Sequence, residues 1–155
     1  MVRRPTTDAL EQRIAAIRRF TRFYTRQIGL LEEGLLASSF SMTEVRILWE
    51  LAYRDGLTAT LLRRDLGLDA GYLSRILSRF EETGLIARQV SPEDGRRNLL
   101  SLTNAGRRAF APLDARSHDQ IAALLSGLPE TDQAELVEAV ATVERLLGRA
   151  GQEPR

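Results

Sequence analysis

The 155-residue chain contains no cysteine and a single histidine, His118. Without thiols there is no disulfide framework, no thiolate nucleophile and no cysteine-based redox sensor. One imidazole with no thiolate beside it is a poor ligand set for zinc, so neither a metal nor a cofactor is expected. No apolar run approaches the roughly 18 residues needed to cross a bilayer, and Met1-Val2-Arg3-Arg4-Pro5 is not followed by the apolar core of a secretory signal. The expectation is a cytoplasmic protein with no membrane partner and no catalytic residues. Lysine is absent as well, all 22 basic residues being arginine, and the net charge is only +1. The charge is unevenly spread. From Arg63 to Arg108 nine arginines face six acidic residues, whereas from Ala109 to Arg155 four face eight. Local positive charge is what binds phosphate.

The length suits one domain with a real core, expected to span 1–155. Its most informative stretch runs from Leu57 to Gly106. Thr58 is placed to cap a helix carrying Leu61, Leu62 and Leu66 on one side, with Arg63 and Arg64 off it, and Gly67 ends that helix. Asp69 then stands where a second N-cap is needed, before apolar positions Leu73, Ile76, Leu77 and Phe80. The opposite face of this second helix carries Ala70, Gly71, Ser74, Arg75 and Ser78, with Tyr72 and Arg79 toward one edge. Small and hydrogen-bonding residues near a helix N-terminus can enter a major groove and reach base edges. An ordinary amphipathic helix with a solvated face is the alternative.

The segment after this helix favours the groove. Gly84 is a natural stop, and Leu85–Val90 suits a strand. Ser91-Pro92-Glu93-Asp94-Gly95 has turn chemistry, with proline setting one φ and Gly95 free to take a positive one. A return strand from about Asn98 to Leu102 completes a hairpin whose tip carries Arg96 and Arg97, with Asp94 two residues before Arg96. A guanidinium held out by a carboxylate reaches a minor groove well, and a merely solvated turn is again the alternative.

The run DLGLDAGYLSRILSRFEETGLIARQVSPEDGRRNLLSLTNAG resembles the DNA-binding core of the MarR family of transcriptional regulators, including the wing pattern Asp94-x-Arg96 and the closing Leu102-Thr103-x-x-Gly106. The resemblance extends from about residue 10 to 148. In detail, DAGYLSRIL and FAPLDARS are most similar to MarR-type domains that some proteins fuse to a GNAT acetyltransferase. No glycine-rich acyl-CoA phosphate loop occurs in these 155 residues. The resemblance implies a mostly α fold with a small β-hairpin wing, a winged helix-turn-helix core at about 41–106, and dimerisation helices at about 8–35 and 104–148. DNA contacts are implied at Thr58, Arg63, Ala70, Gly71, Tyr72, Ser74, Arg75, Ser78, Arg79, Asp94, Arg96 and Arg97.

The remaining helices fit a homodimer. Leu10, Ile14, Ile17, Phe20, Tyr24, Ile28, Leu31 and Leu35 step by three or four, a stripe too long for one winged helix to cover. Glu32 to Phe40 reads as a connector, and Ser41 with Glu44 as a capping box before Val45, Leu48, Trp49 and Ala52. Ile121, Leu124, Leu125 and Leu128 form another stripe, and Leu136, Val140, Val143 and Leu147 a third, with a break at Leu128-Pro129-Glu130. These helices either pack on a second copy or fold back as a small bundle. Pro112, inside the helix that starts near Thr103, should kink or divide it. The chain ends, including Gly148 to Arg155, look loose.

The family resemblance also implies an effector pocket where the dimerisation helices meet the winged-helix lobe. Phe23, Tyr24, Phe40, Trp49 and Tyr53 are the aromatic candidates, with Arg22 and His118 supplying charge for a small anionic aromatic ligand; plain core packing of the aromatics is the alternative. The expected function is that of a DNA-binding regulator, a repressor in the first instance, acting as a homodimer on pseudo-palindromic double-stranded DNA and not as an enzyme. The competing readings are the regulatory half of an acetyltransferase fusion and a winged helix that pairs with protein.

Overall fold

The computed structural model describes residues 6–36 and 38–150, and within them the side chains of 6–27 and 38–149. Among the described residues six helices and one hairpin occur in the order α1 (Thr7–Leu36), α2 (Met42–Tyr53), α3 (Ala59–Leu66), α4 (Ala70–Glu82), β1 (Ile86–Val90), β2 (Asn98–Leu102), α5 (Asn104–Ser126) and α6 (Glu130–Ala150). The chain forms two compact units, Met1–Ser117 and His118–Arg155, and the boundary falls within α5. The expected mostly α fold with a β-hairpin wing is the observed one.

Local chemistry sets the element ends. Ser41 caps α2 by accepting the Glu44 N–H, and Glu44 returns the bond by accepting the Ser41 N–H at 3.1 Å, a complete capping box. Thr58 and Asp69 cap α3 and α4 through their side chains alone, accepting the Leu61 N–H and the Tyr72 N–H. Gly67 and Gly84 adopt positive φ after α3 and α4, and in both cases the next residue's N–H returns to a carbonyl five residues back, Leu68 to Arg63 and Leu85 to Phe80. That is the Schellman closure, which needs a residue without a Cβ penalty. The α1 helix runs on to Leu36, so the expected connector from Glu32 shortens to the few residues before Ser41. The side chains of Ile28, Leu31 and Leu35, expected on the α1 stripe, lie outside the described residues, as do the chain ends 1–5 and 151–155.

Strands β1 and β2 pair antiparallel, from Ile86 opposite Leu102 to Val90 opposite Asn98. Leu57 adds a bridge on the other edge, where Leu100 N–H donates to Leu57 C=O at 2.8 Å. The core of this unit is Val45, Ile47, Leu48, Leu51, Leu57, Leu62, Leu73, Ile76, Leu77, Phe80, Ile86, Leu100, Leu102, Phe110 and Leu113. Every one of these comes from the segment between α2 and the first half of α5. The four leucine, isoleucine and phenylalanine positions expected to bury α4 are all among them.

Pro112 does not divide α5, which continues from Asn104 to Ser126 through it. In the second unit, Gln133 Nε2 donates to the C=O groups of Leu125 and Leu128 at 2.8 and 3.0 Å, beside the Leu128 N–H that the Leu125 C=O also accepts at 2.9 Å, so the carbonyls at the Pro129 break are paired.

Candidate nucleic-acid interface

The buried stripe of α4 fixes which side faces out. Ala70, Gly71, Tyr72, Ser74, Arg75, Ser78 and Arg79 are all exposed, as the spacing predicts. A Cβ on Gly71 would stand 3.3 Å from Asp69 Oδ2 and 3.8 Å from Arg75 Nη1. The Arg75 guanidinium thus lies back over the first turn, at a distance where a Cβ on Gly71 would make only ordinary contact with it. Thr58 sits half-buried with its hydroxyl engaged by Leu61 N–H at 3.2 Å, so its first task is to start α3.

Arg63, Ala70 and Ser74 come together with Ala59, Thr60, Leu73, Leu77 and Arg88 around a shallow hollow of about 220 Å³ between α3, α4 and β1. Arg88 had no signal in the sequence beyond being an arginine in a strand. Its Nε is 2.8 Å from Glu81 Oε2, which ties β1 to the end of α4.

The hairpin tip is ordered by short-range bonds. Ser91 N–H donates to Arg97 C=O at 2.8 Å, Arg97 N–H to Asp94 C=O at 3.0 Å, and Arg96 N–H to Asp94 Oδ1 at 3.0 Å. Two expectations change here. Asp94 holds the backbone of Arg96, not its guanidinium, and its ion pair is with Arg97, Nε to Oδ2 at 3.6 Å. Gly95 does not take a positive φ, because the Asp94 side chain and the Asp94–Arg97 backbone bond close the turn without it. Arg96 and Arg97 both remain exposed.

Arg79 is not free either. Its Nη2 lies 2.9 Å from Glu44 Oε2 on α2. Behind α3, Asp65 accepts Arg54 Nη1 at 2.9 Å and Arg64 Nε at 3.0 Å, while Arg54 also meets Glu50 at 2.8 Å. The hydrogen bond from Arg54, and after it that from Arg64, holds the Asp65 carboxyl below the ordinary carboxylate range.

The proposed effector aromatics form separate groups. Phe20 stacks on Tyr24 along α1, with centroids 5.6 Å apart. Trp49 packs at 4.8 Å on Tyr53 and edge-on at 5.7 Å to Phe110 of α5, and Tyr53 OH donates to Asp114 Oδ1 at 2.7 Å. This bond raises the Tyr53 pKa above the usual phenol value. Trp49 and Tyr53 keep 38% and 59% of their surface exposed, so they are not closed core. Phe40 is partly buried and packs against the core instead, edge-on to Phe80. Phe23 and Arg22 are exposed on α1, whereas His118 lies in the other unit, its Nδ1 3.4 Å from Asp119 Oδ1.

Known proteins share this geometry. A sequence model of the MarR family matches residues 38–97. The chain is 43% identical over 86 residues to the organic hydroperoxide resistance transcriptional regulator of Bacillus subtilis (strain 168), a match covering 56% of each. It is 32% identical over 101 residues, 65% of this chain and 55% of the relative, to a putative transcriptional regulatory protein for the hcr operon of Thauera aromatica. The matches thus span a little over half the length of both relatives. A crystal structure of a MarR family transcription regulator superposes with a TM-score of 0.68 at 26% identity, covering 96% of both chains. Among the described residues no helix is long and apolar enough to cross a membrane. The matched segment, residues 38–97, and the architecture built around it are thus similar to the winged helix-turn-helix of MarR family transcriptional regulators.

Proposed function

We propose that the chain is a transcriptional regulator that binds pseudo-palindromic double-stranded DNA as a homodimer, represses by occupying a promoter, and is released by a small anionic aromatic ligand. The observation that carries the reading is the outer face of α4: Ala70, Gly71, Ser74, Arg75 and Ser78 stand exposed on a helix whose other side is locked into the core. Such a face can enter a major groove, where Arg75 can meet guanine O6 and N7. The hairpin tip adds exposed Arg96 and Arg97 on one flank, suited to the negative potential of a narrow minor groove. Relatives named as transcriptional regulators support the same class.

Dimerisation is the natural consequence of what the winged helix leaves uncovered. Leu10, Ile14, Ile17, Phe20 and Tyr24 on α1, and Leu136, Val140, Val143 and Leu147 on α6, are exposed in the single chain. Apolar surface of this extent seeks a partner, and a second copy related by a two-fold axis supplies one. The same axis imposes half-sites about 34–36 Å apart, or a multiple of that. The ligand would contact Trp49 and Tyr53, the half-exposed aromatic pair of α2, with Arg22, Phe23 and Tyr24 of α1 as further contacts.

The test is selection of duplexes from a random pool, then binding across a salt series. A two-fold consensus bound well above scrambled sequence supports the reading. Uniform, salt-driven binding to every duplex, or none, would overturn it.

A further inference from the structure

One carboxylate joins the start of α2 to the far half of α4. Glu44 uses Oε1 to accept the Ser41 N–H at 3.1 Å, closing the capping box, and Oε2 to hold Arg79 Nη2 at 2.9 Å. Its side chain is only 13% exposed, against 58% for Arg79. A second contact lies next to it, where the ring of Phe40 meets that of buried Phe80 edge-on at 6.2 Å. Phe40 and Glu44 both lie where the chain passes from α1 into α2, and Arg79 and Phe80 are consecutive on α4. An apolar contact and a charged one thus grip α4 at a single point, on the flank away from its N-terminal face.

We infer that Arg79 is a positioning residue for DNA recognition and not a phosphate contact: paired with Glu44, it sets the angle at which α4 stands relative to the start of α2. The inference rests on the reading of α4 as the groove-entering helix. A guanidinium neutralised in place by a carboxylate releases few counterions on meeting DNA. A helix tilted by tens of degrees misaligns every base contact at once, because such contacts demand tight tolerances.

The test uses Arg79→Met, Glu44→Gln, their combination and Arg79→Lys in the full chain, each checked for folding by its melting curve. Binding is measured to duplexes the wild-type protein has selected and to scrambled duplexes, across a salt series. Glutamine retains an oxygen for the Ser41 N–H, so α2 stays capped. Arg79→Met and Glu44→Gln are each expected to lose roughly five- to tenfold in affinity for the selected duplex only, with the double variant losing no more than either. The salt slope stays unchanged, and Arg79→Lys, which keeps a cation near Glu44, recovers most of the discrimination. Glu44→Gln is the decisive arm, since removing a negative charge would by simple electrostatics tighten binding to every sequence. Should Glu44→Gln be neutral or tighter while Arg79→Met weakens both duplexes and lowers the slope by about 0.9, Arg79 is a phosphate contact and the inference fails. Unchanged binding in all variants overturns it too. A wild-type protein that discriminates no duplex removes the groove-reading role of α4 itself, and this inference with it.

Discussion

Gly106 closes the motif Leu102-Thr103-x-x-Gly106, and the structure gives it a steric task that fixes the sign of a substitution. A Cβ added there would lie 2.0 Å from the carbonyl oxygen of Leu85, 3.0 Å from its carbonyl carbon and 3.2 Å from Leu102 Cδ2. Carbon and carbonyl oxygen approach to about 3.3 Å at closest in good contacts, so α5 or the base of the wing must move by more than about 1 Å. Backbone on both sides leaves no rotamer to absorb it. The movement also strains the bonds that anchor α5: Thr103 N–H to Leu85 C=O at 3.0 Å, Thr103 Oγ to Gly84 C=O, and Gly106 N–H to Thr103 Oγ at 3.0 Å. Overpacking costs about 1–3 kcal/mol and each weakened bond about 0.5–1.5 kcal/mol, against a gain of up to about 1 kcal/mol for alanine over glycine in a helix. Gly106→Ala should therefore destabilise by about 2–4 kcal/mol, a fall in Tm of about 5–15 °C for a chain of this size. Gly148 in α6 is the control, because a Cβ there meets nothing within 4 Å. Gly148→Ala should gain about 0.4–1 kcal/mol. Thermal and urea unfolding of both variants at one fixed protein concentration reads the two signs. A Gly106→Ala protein as stable as wild type would refute the packing argument, since helix propensity alone predicts a gain at both sites.

Arg75→Ala should cost about 1–3 kcal/mol at one base pair and relax preference there, whereas a loss that is uniform over all sequences would reduce Arg75 to a phosphate contact. Val140→Glu with Val143→Glu places charge on the exposed apolar stripe of α6 and should shift the protein from dimer to monomer or to unfolded chain; sedimentation of the wild type as a monomer at micromolar concentration would reject the stripe as an interface. Asp65, whose carboxyl is held low first by Arg54 and then by Arg64, stabilises the fold above its unfolded pKa of about 4 and loses that contribution as pH falls through its lower folded value. Asp65→Asn should accordingly flatten the decline of Tm below about pH 4, and an unaltered acid limb would show that the pair contributes nothing.

The elements legible in the sequence are those with local causes. Ser41, Thr58 and Asp69 each stand one residue before a helix and cap it, and the leucines and Phe80 of α4 repeat with the helical period. What the sequence hides depends on partners distant along the chain. Nothing near Arg79 announces Glu44, 35 residues earlier, and nothing near Tyr53 announces Asp114, 61 residues later. The two Asp94 contacts depart from expectation for a related reason: spacing places a carboxylate near both arginines but does not decide between a backbone N–H and a guanidinium. Leu57 bridging Leu100 likewise shows only when the wing is folded back on the helices.

A ligand-controlled version of the function has one further constraint. Redox sensing through a low-pKa thiolate that passes to a sulfenic acid requires a cysteine. These 155 residues hold no thiol. A signal that acts on them through binding moves a conformational equilibrium only by its differential affinity for the two states; a hundredfold preference supplies about 2.7 kcal/mol. In the proposed ligand-controlled function the contact would fall on the Trp49–Tyr53 pair, which is half-exposed and joined through Phe110 and Asp114 to α5. Ligand stacked on Trp49 should quench its fluorescence, and as the only tryptophan it reports without interference. Salicylate and similar aromatic acids should therefore quench Trp49 and weaken binding to the selected duplex over the same concentration range, with Tyr53→Phe shifting both curves alike. Quenching without release of DNA would mean that the site is occupied but uncoupled, and neither effect at millimolar concentration would rule out an aromatic acid as the signal.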